Sequence, residues 1–144
     1  MPSLGQYTAI VAQLVTDIEA AWDSIGVIYK GRPLIAPTEP SFAIIHLAEV
    51  SQEFDSVKNF EQVWRFEIHG QFQWPSTVST NILDDKVAKA NALVPSLEVS
   101  PYASGACYLN RCTKIVLEPD EDEQEQVYRI MVEFECRVSA QYGA

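Results

Sequence analysis

The sequence predicts an α+β fold, a mainly antiparallel β-sheet with long hairpins and two α-helices packed on one face. Three stretches lead there. Val63 to Trp74 reads V-W-R-F-E-I-H-G-Q-F-Q-W, so at period two Trp64, Phe66, Ile68, Phe72 and Trp74 share one side of an extended chain. Arg65, Glu67, His69, Gln71 and Gln73 fall on the other side. Nearer the end, Tyr128, Ile130, Val132, Phe134, Cys136 and Val138 alternate in the same way with Arg129, Met131, Glu133, Glu135 and Arg137. Two strands that are each dry on one face and polar on the other pair naturally in an antiparallel sheet. Residues 3–25 supply the third observation, an amphipathic helical period that needs an apolar surface to lie on. A twelve-residue strand at about 3.3 Å per residue spans roughly 40 Å, about twice the usual length.

The 144 residues are read as one domain, residues 1–144, long enough to bury a core without disulfide or metal support. A formal net charge of −10 argues against a nucleic-acid grip based on phosphate neutralisation. Three cysteines, Cys107, Cys112 and Cys136, fit reduced thiols in a cytoplasm and are read as small apolar strand residues. Cys107 and Cys112 have no histidine close by, which leaves a zinc site without its usual ligand set. No apolar run reaches the length of a membrane span, and the first residues lack the regions of a targeting peptide, so the chain is expected to be soluble.

Each element has its own signal. In the first helix Tyr7, Val11, Leu14, Ile18, Ala21, Trp22 and Ile25 recur at three- and four-residue steps. Ser3 and Gln6 have capping-box spacing, and Gly26 stands where a left-handed residue would end the helix. Val27 to Tyr29 forms a short strand before Lys30-Gly31-Arg32-Pro33. Gly31 to Pro40 contains Pro33, Pro37 and Pro40, which cannot donate to a ladder, and is read as an ordered loop. Phe42 to Val50 is apolar at both parities and is read as a central strand covered on both sides for part of its length.

Ser51 to Gln62 is the far end of a hairpin joining the Phe42 strand to the Val63 strand. Its Phe54 and Phe60 serve either as exposed anchors of a protein contact or as a pair packed across the hairpin. Pro75 stops the long strand. Ser79, Thr80 and Asn81 are N-caps for a helix from about Ile82 to Val94, with inner stripe Leu83, Val87, Ala90 and Val94 and its end at Pro95. Ser96 to Ala106 connects to a last hairpin of Cys107–Leu117 and Val127–Ala140. The tip of that hairpin, Glu118 to Gln126, reads E-P-D-E-D-E-Q-E-Q. It lacks the glycine and the alternating ligand spacing of a calcium loop, so a solvated charged tip is expected.

The chain carries no H-E-x-x-H, serine elbow, glycine-rich phosphate loop or cysteine signature. We therefore expect no enzyme, and no catalytic, cofactor-binding or metal-ligating residues. His46 and His69, with Glu67 or Glu49, could work as acid and base in a pocket, but strand histidines more often only satisfy hydrogen bonds. The mixed-sign strips Arg65–Glu67–His69 and Arg129–Glu133–Glu135–Arg137 suit oriented docking on a second copy of the chain, since charge complementarity sets register. A plainly solvated sheet face is the alternative.

The order of elements is an N-terminal amphipathic helix, a short strand, the loop Gly31-Arg32-Pro33, a hairpin of long alternating strands, a helix after Pro75 and a final hairpin. This resembles the tail terminator (tail-completion, minor tail protein U-like) family of long-tailed bacteriophages. The local likeness runs from Val27 to Trp74, and the order covers nearly the whole chain. The resemblance implies an α+β sandwich assembled as a six-membered ring on the head-proximal end of the tail tube. Such a ring stops tube polymerisation and joins the tail to the head connector. Implied partners are further copies of the chain, the tail tube protein and the head–tail connector or neck protein. DNA would pass the lumen without specific binding, no membrane is involved, and the location is the virion, assembled in the host cytoplasm. Six copies of a −10 chain would carry about −60, which demands segregated charge or bound cations.

On this reading the subunit contacts are Phe54, Phe60, Arg65, Glu67, Arg129, Glu133, Glu135 and Arg137. The alternatives are another neck or tube component, or a small-ligand-binding or enzymatic α+β domain using His46, His69 and Glu67.

Overall fold

A computed structural model describes residues 4–54, 59–73, 82–117, 121–122 and 127–141. Helix α1 (Leu4–Ala21) is followed by β1 (Val27–Lys30), β2 (Phe42–Phe54) and β3 (Asn59–Gln73). Helix α2 (Ile82–Leu97), a single 3-10 turn (Ala103–Gly105), β4 (Tyr108–Val116), β5 (Glu121–Asp122) and β6 (Val127–Gln141) complete the order. The sheet runs β1-β2-β3-β6-β4, with β5 also paired to β6. Every pairing is antiparallel except that of β1 with β2. The fold is therefore α+β, as the strand periods predict.

The dry face is the predicted one. Trp64, Phe66, Ile68 and Phe72 of β3 are buried beside Tyr128, Ile130, Val132, Phe134, Cys136 and Val138 of β6. The register makes Phe66 and Phe134 direct partners, with ring centroids 6.3 Å apart. From α1, Ile10, Val11, Leu14 and Ile18 join the same cluster, with Trp22 just past its end, and from α2 Leu93 and Leu97. Each large side chain taken from water there contributes roughly 1.5–3 kcal/mol. Trp22 links three elements: its ring meets Phe72 edge-on at 5.1 Å, and its indole N–H donates to the Lys89 carbonyl of α2 at 2.9 Å. The dry face also holds one polar residue that alternation alone did not mark. Buried Gln62 accepts from the Trp64 indole at 3.1 Å and donates to Gln52 at 3.3 Å, satisfying groups that burial would otherwise penalise.

Several expectations are corrected. Helix α1 stops at Ala21 rather than near Ile25, and Gly26 is not left-handed, because its N–H is taken by the Ser41 carbonyl at 3.0 Å as the chain enters the sheet. A positive φ is found instead at Gly31, +85°, where the chain leaves β1. Strand β2 lies between β1 and β3, but only for the first part of its length. Its partner β1 reaches only from Phe42 to Ile45, so beyond that β2 has no strand on that edge among the described residues.

The inner stripe of α2 is offset from the predicted one. Lys86, Ala90, Leu93 and Leu97 are buried, whereas Leu83 and Val87 are exposed. The buried lysine explains the shift: its ammonium donates to the Leu117 carbonyl, so the helix can turn a cation inward. Pro95 lies inside this helix rather than at its end. The connection after it begins at Glu98. Trp74, Pro75, the proposed caps Ser79 to Asn81 and most of the acidic tip lie outside the described residues, as does Ser3. Glu121 and Asp122 of the tip pair with Tyr128 and Val127.

Candidate functional site

Both helices cover one face of the sheet, and the open face divides into two halves. The half toward the β2–β3 hairpin is a ladder of cross-strand ion pairs. Glu49 and Arg65 are register partners, with Arg65 Nη2 2.8 Å from Glu49 Oε2, and Arg65 Nε lies 3.9 Å from Glu133 on β6. Arg111 on β4 reaches Glu135 at 3.4 Å, and the Thr113 hydroxyl donates to Glu133 at 2.8 Å. Arg137 Nη1 lies 2.8 Å from Glu61 Oε2, whose other oxygen accepts from the Tyr108 phenol. Those two donors, the phenol first, hold the Glu61 carboxyl below the usual glutamate range.

Thus Arg65, Glu133, Glu135 and Arg137, all expected at subunit contacts, have partners within their own chain. Glu67 lies 3.1 Å from His69 Nε2. Arg129 is held at 3.0 Å through its Nε by Gln71, a neutral partner. Phe54 and Phe60 are register partners at the end of the hairpin, and their side chains lie outside what is described.

The other half of the face is different in kind. A groove of about 490 Å³ opens there, floored by Phe42 and Ile44 of β2, Met131 of β6 and Val116 of β4. His69 and Gln71 of β3 lie between those β2 and β6 residues, His46, Arg32 and Arg129 also line the groove, and no carboxylate lines it among the described residues. One ladder row crosses all four strands, since Ile44 pairs with His69, His69 with Met131, and Met131 with Val116. Strand pairing thus brings the two predicted histidines onto one wall, as the alternative reading required. Glu67 touches His69 but does not line the groove.

Sequence reading named the histidines of this groove but not its apolar lining, although that signal was present. The double parity of Phe42 to Val50 marked apolar residues on the open face, and Met131 interrupted a row of charges.

Beside the groove lies the loop from Gly31 to Pro40. It is tied at its root by the Gly31 N–H to the Ile45 carbonyl, 2.7 Å. Its far end is tied by Tyr29 to Glu39 at 3.2 Å and by Gln71 to the Pro40 carbonyl at 3.3 Å. Between these ties Leu34 and Ile35 project into solvent, with 104% and 83% of their reference surface exposed. Isolated apolar exposure is common, but two adjacent and almost fully exposed branched residues on a pinned loop form a distinct projection.

The remaining reactive groups are arranged for structure. Burial, and then Glu98, pushes the Cys112 thiol up to about 12, and a hydrogen bond to Cys107 together with burial also raises Cys136 above the ordinary thiol value. Neither has the thiolate character of a nucleophile. The Tyr102 phenol donates to Asp17 and fastens the 3-10 turn to α1. Among the described residues no group of three or more histidine, cysteine or acidic side chains is placed to hold a metal ion. No described helix is long and apolar enough to cross a membrane.

No protein-family model matches the chain, and no curated protein matches it. Among solved structures, a chain from "Virion of native gene transfer agent (GTA) particle" is 16% identical with a TM-score of 0.49, the match covering 96% of this chain and 100% of that one. At that identity and superposition the likeness carries no functional argument.

Proposed function

We propose that the chain is a structural virion protein, a phage tail terminator that closes into a ring at the head-proximal end of the tail tube. The ring ends tube growth and receives the head connector, and the chain performs no catalysis. One observation carries this reading: a sheet with two fifteen-residue strands has all its described helices on one side, while the other side is a long, finished face of charge ladder and apolar groove. Such a face suits contact with a large neighbour better than enclosure of a reacting molecule. The element order supports it too, because the Gly31-Arg32-Pro33 loop between a short strand and a long hairpin stands as the resemblance requires.

Within this reading copies meet through the open face and the hairpin end, with Arg129 and Glu67 beside the groove and Phe54 and Phe60 at the hairpin. A ring built from unlike patches uses up the edges along which growth would continue. Negative-stain images of the purified chain should show closed rings, and adding it to polymerising tail tube protein should halt elongation at one end. Rings with no effect on elongation would remove the terminator role, and a strict monomer would remove assembly.

A second reading has its own observation. The groove lies beside both histidines and is roughly the size of a small-molecule site. A monomer that binds a small ligand there would favour a ligand-binding domain over a ring subunit.

A further inference from the structure

From the geometry we infer that the groove on the open face of one copy receives the Leu34–Ile35 projection of the next copy. The inference rests on the proposed assembly and names the junction that would build it. The groove is mainly apolar, with Phe42, Ile44, Val116 and Met131 set around His69 and Gln71, and about 490 Å³ has room for two branched aliphatic side chains. The chain's own projection does not fill it. Arg32 lines the groove, yet Leu34 and Ile35, two and three residues further on, are exposed. Pro33 and Pro37 bracket them, fixing φ and removing donors, so the loop enters as a preshaped plug and cannot add as a strand.

Charge selects a second copy as the occupant. The chain has 20 acidic residues against 10 lysines and arginines, so copies repel over most of their surfaces. The groove is an exception, with two arginines, two histidines and no carboxylate among the described residues. It is a place where one acidic copy can approach another, and the charges of the plug loop itself, Arg32 and Glu39, cancel. Plug and groove are different patches, so the contact is heterologous and repeats from copy to copy until it closes.

Native mass spectrometry over a concentration series tests this with three proteins: wild type, Leu34→Asp/Ile35→Asp, and Met131→Glu. The plug variant changes only exposed side chains, so its melting temperature should stay at the wild-type value. Each variant should need about tenfold or more the wild-type concentration to assemble. Mixed together, the two variants should form one-to-one pairs, because the plug variant keeps its groove and the groove variant keeps its plug. If wild type assembles and the plug variant assembles equally well, the junction is wrong and the ring reading survives. Impairment of the groove variant alone would equally overturn the junction, since the groove would then take another segment. A wild type that stays monomeric at every concentration removes both.

Discussion

Arg137 on β6 and Glu61 on β3 form an ion pair at 2.8 Å within one chain, and Tyr108 on β4 donates to the same carboxylate. The alternating charges of the long strands therefore stitch three strands to one another. Arg137→Ala should lower stability by about 1 kcal/mol or less, as for other partly exposed pairs. Urea unfolding reads this directly, and a larger loss would mean that the ladder also organises the core beneath it.

Glu61 gives the fold a defined acid response. Its carboxyl is held below the ordinary value, so the folded chain takes up this proton less readily than the unfolded one. The contribution is complete above about pH 4.3, the unfolded value, and disappears as pH falls through the lower folded value. Glu61→Gln should flatten that part of the stability profile. An unchanged acid limb in chemical denaturation would contradict the assignment.

Phe66 and Ile130 face the helices, with 0% and 2% of their surface exposed. Phe66→Ala or Ile130→Ala should cost roughly 2–5 kcal/mol through lost burial and the cavity left behind. A thermal melt unchanged from wild type would reverse the two faces of the sheet.

Gly70 shows a different dependence on packing. A Cβ there would come within 2.8 Å of both the Trp22 and Phe72 rings, and both rings are buried. Gly70→Ala should destabilise by about 1–3 kcal/mol, as overpacking does. The near-ultraviolet circular dichroism of the displaced rings should change with it, and a stability equal to wild type would show that the rings can move.

Much of this was legible in the chain because period-two alternation and a buried face are the same fact seen twice. Every residue from Trp64 to Phe72 on the dry parity is buried, and so is its counterpart set on β6. Helix α2 was placed but turned, because its inward residue is Lys86, and no apolar period points to a lysine whose ammonium finds a carbonyl. The helix ends expected at Gly26 and Pro95 failed for a related reason, since hydrogen bonding to a distant strand or one further helical turn overrode a local preference. The charged face was found, but its pairing partners and the division into ladder and groove depend on register, which alternation does not specify. The exposure of Leu34 and Ile35 could not be read from a proline-rich loop, because it depends on where the loop is tied.

Arg129 separates fold from assembly more cleanly than Arg137, since Gln71 is its partner at 3.0 Å and it lines the groove. Arg129→Glu should leave the melting temperature within about 1–2 °C of wild type, as for other surface changes. It should nevertheless raise the concentration needed for assembly. Equal assembly by this variant would remove this part of the groove from the contact.

The mass of the purified wild-type chain in native solution tests the central claim most directly. A closed ring, six chain masses on the family resemblance, is the expected result. A single chain mass across the accessible concentration range would contradict it.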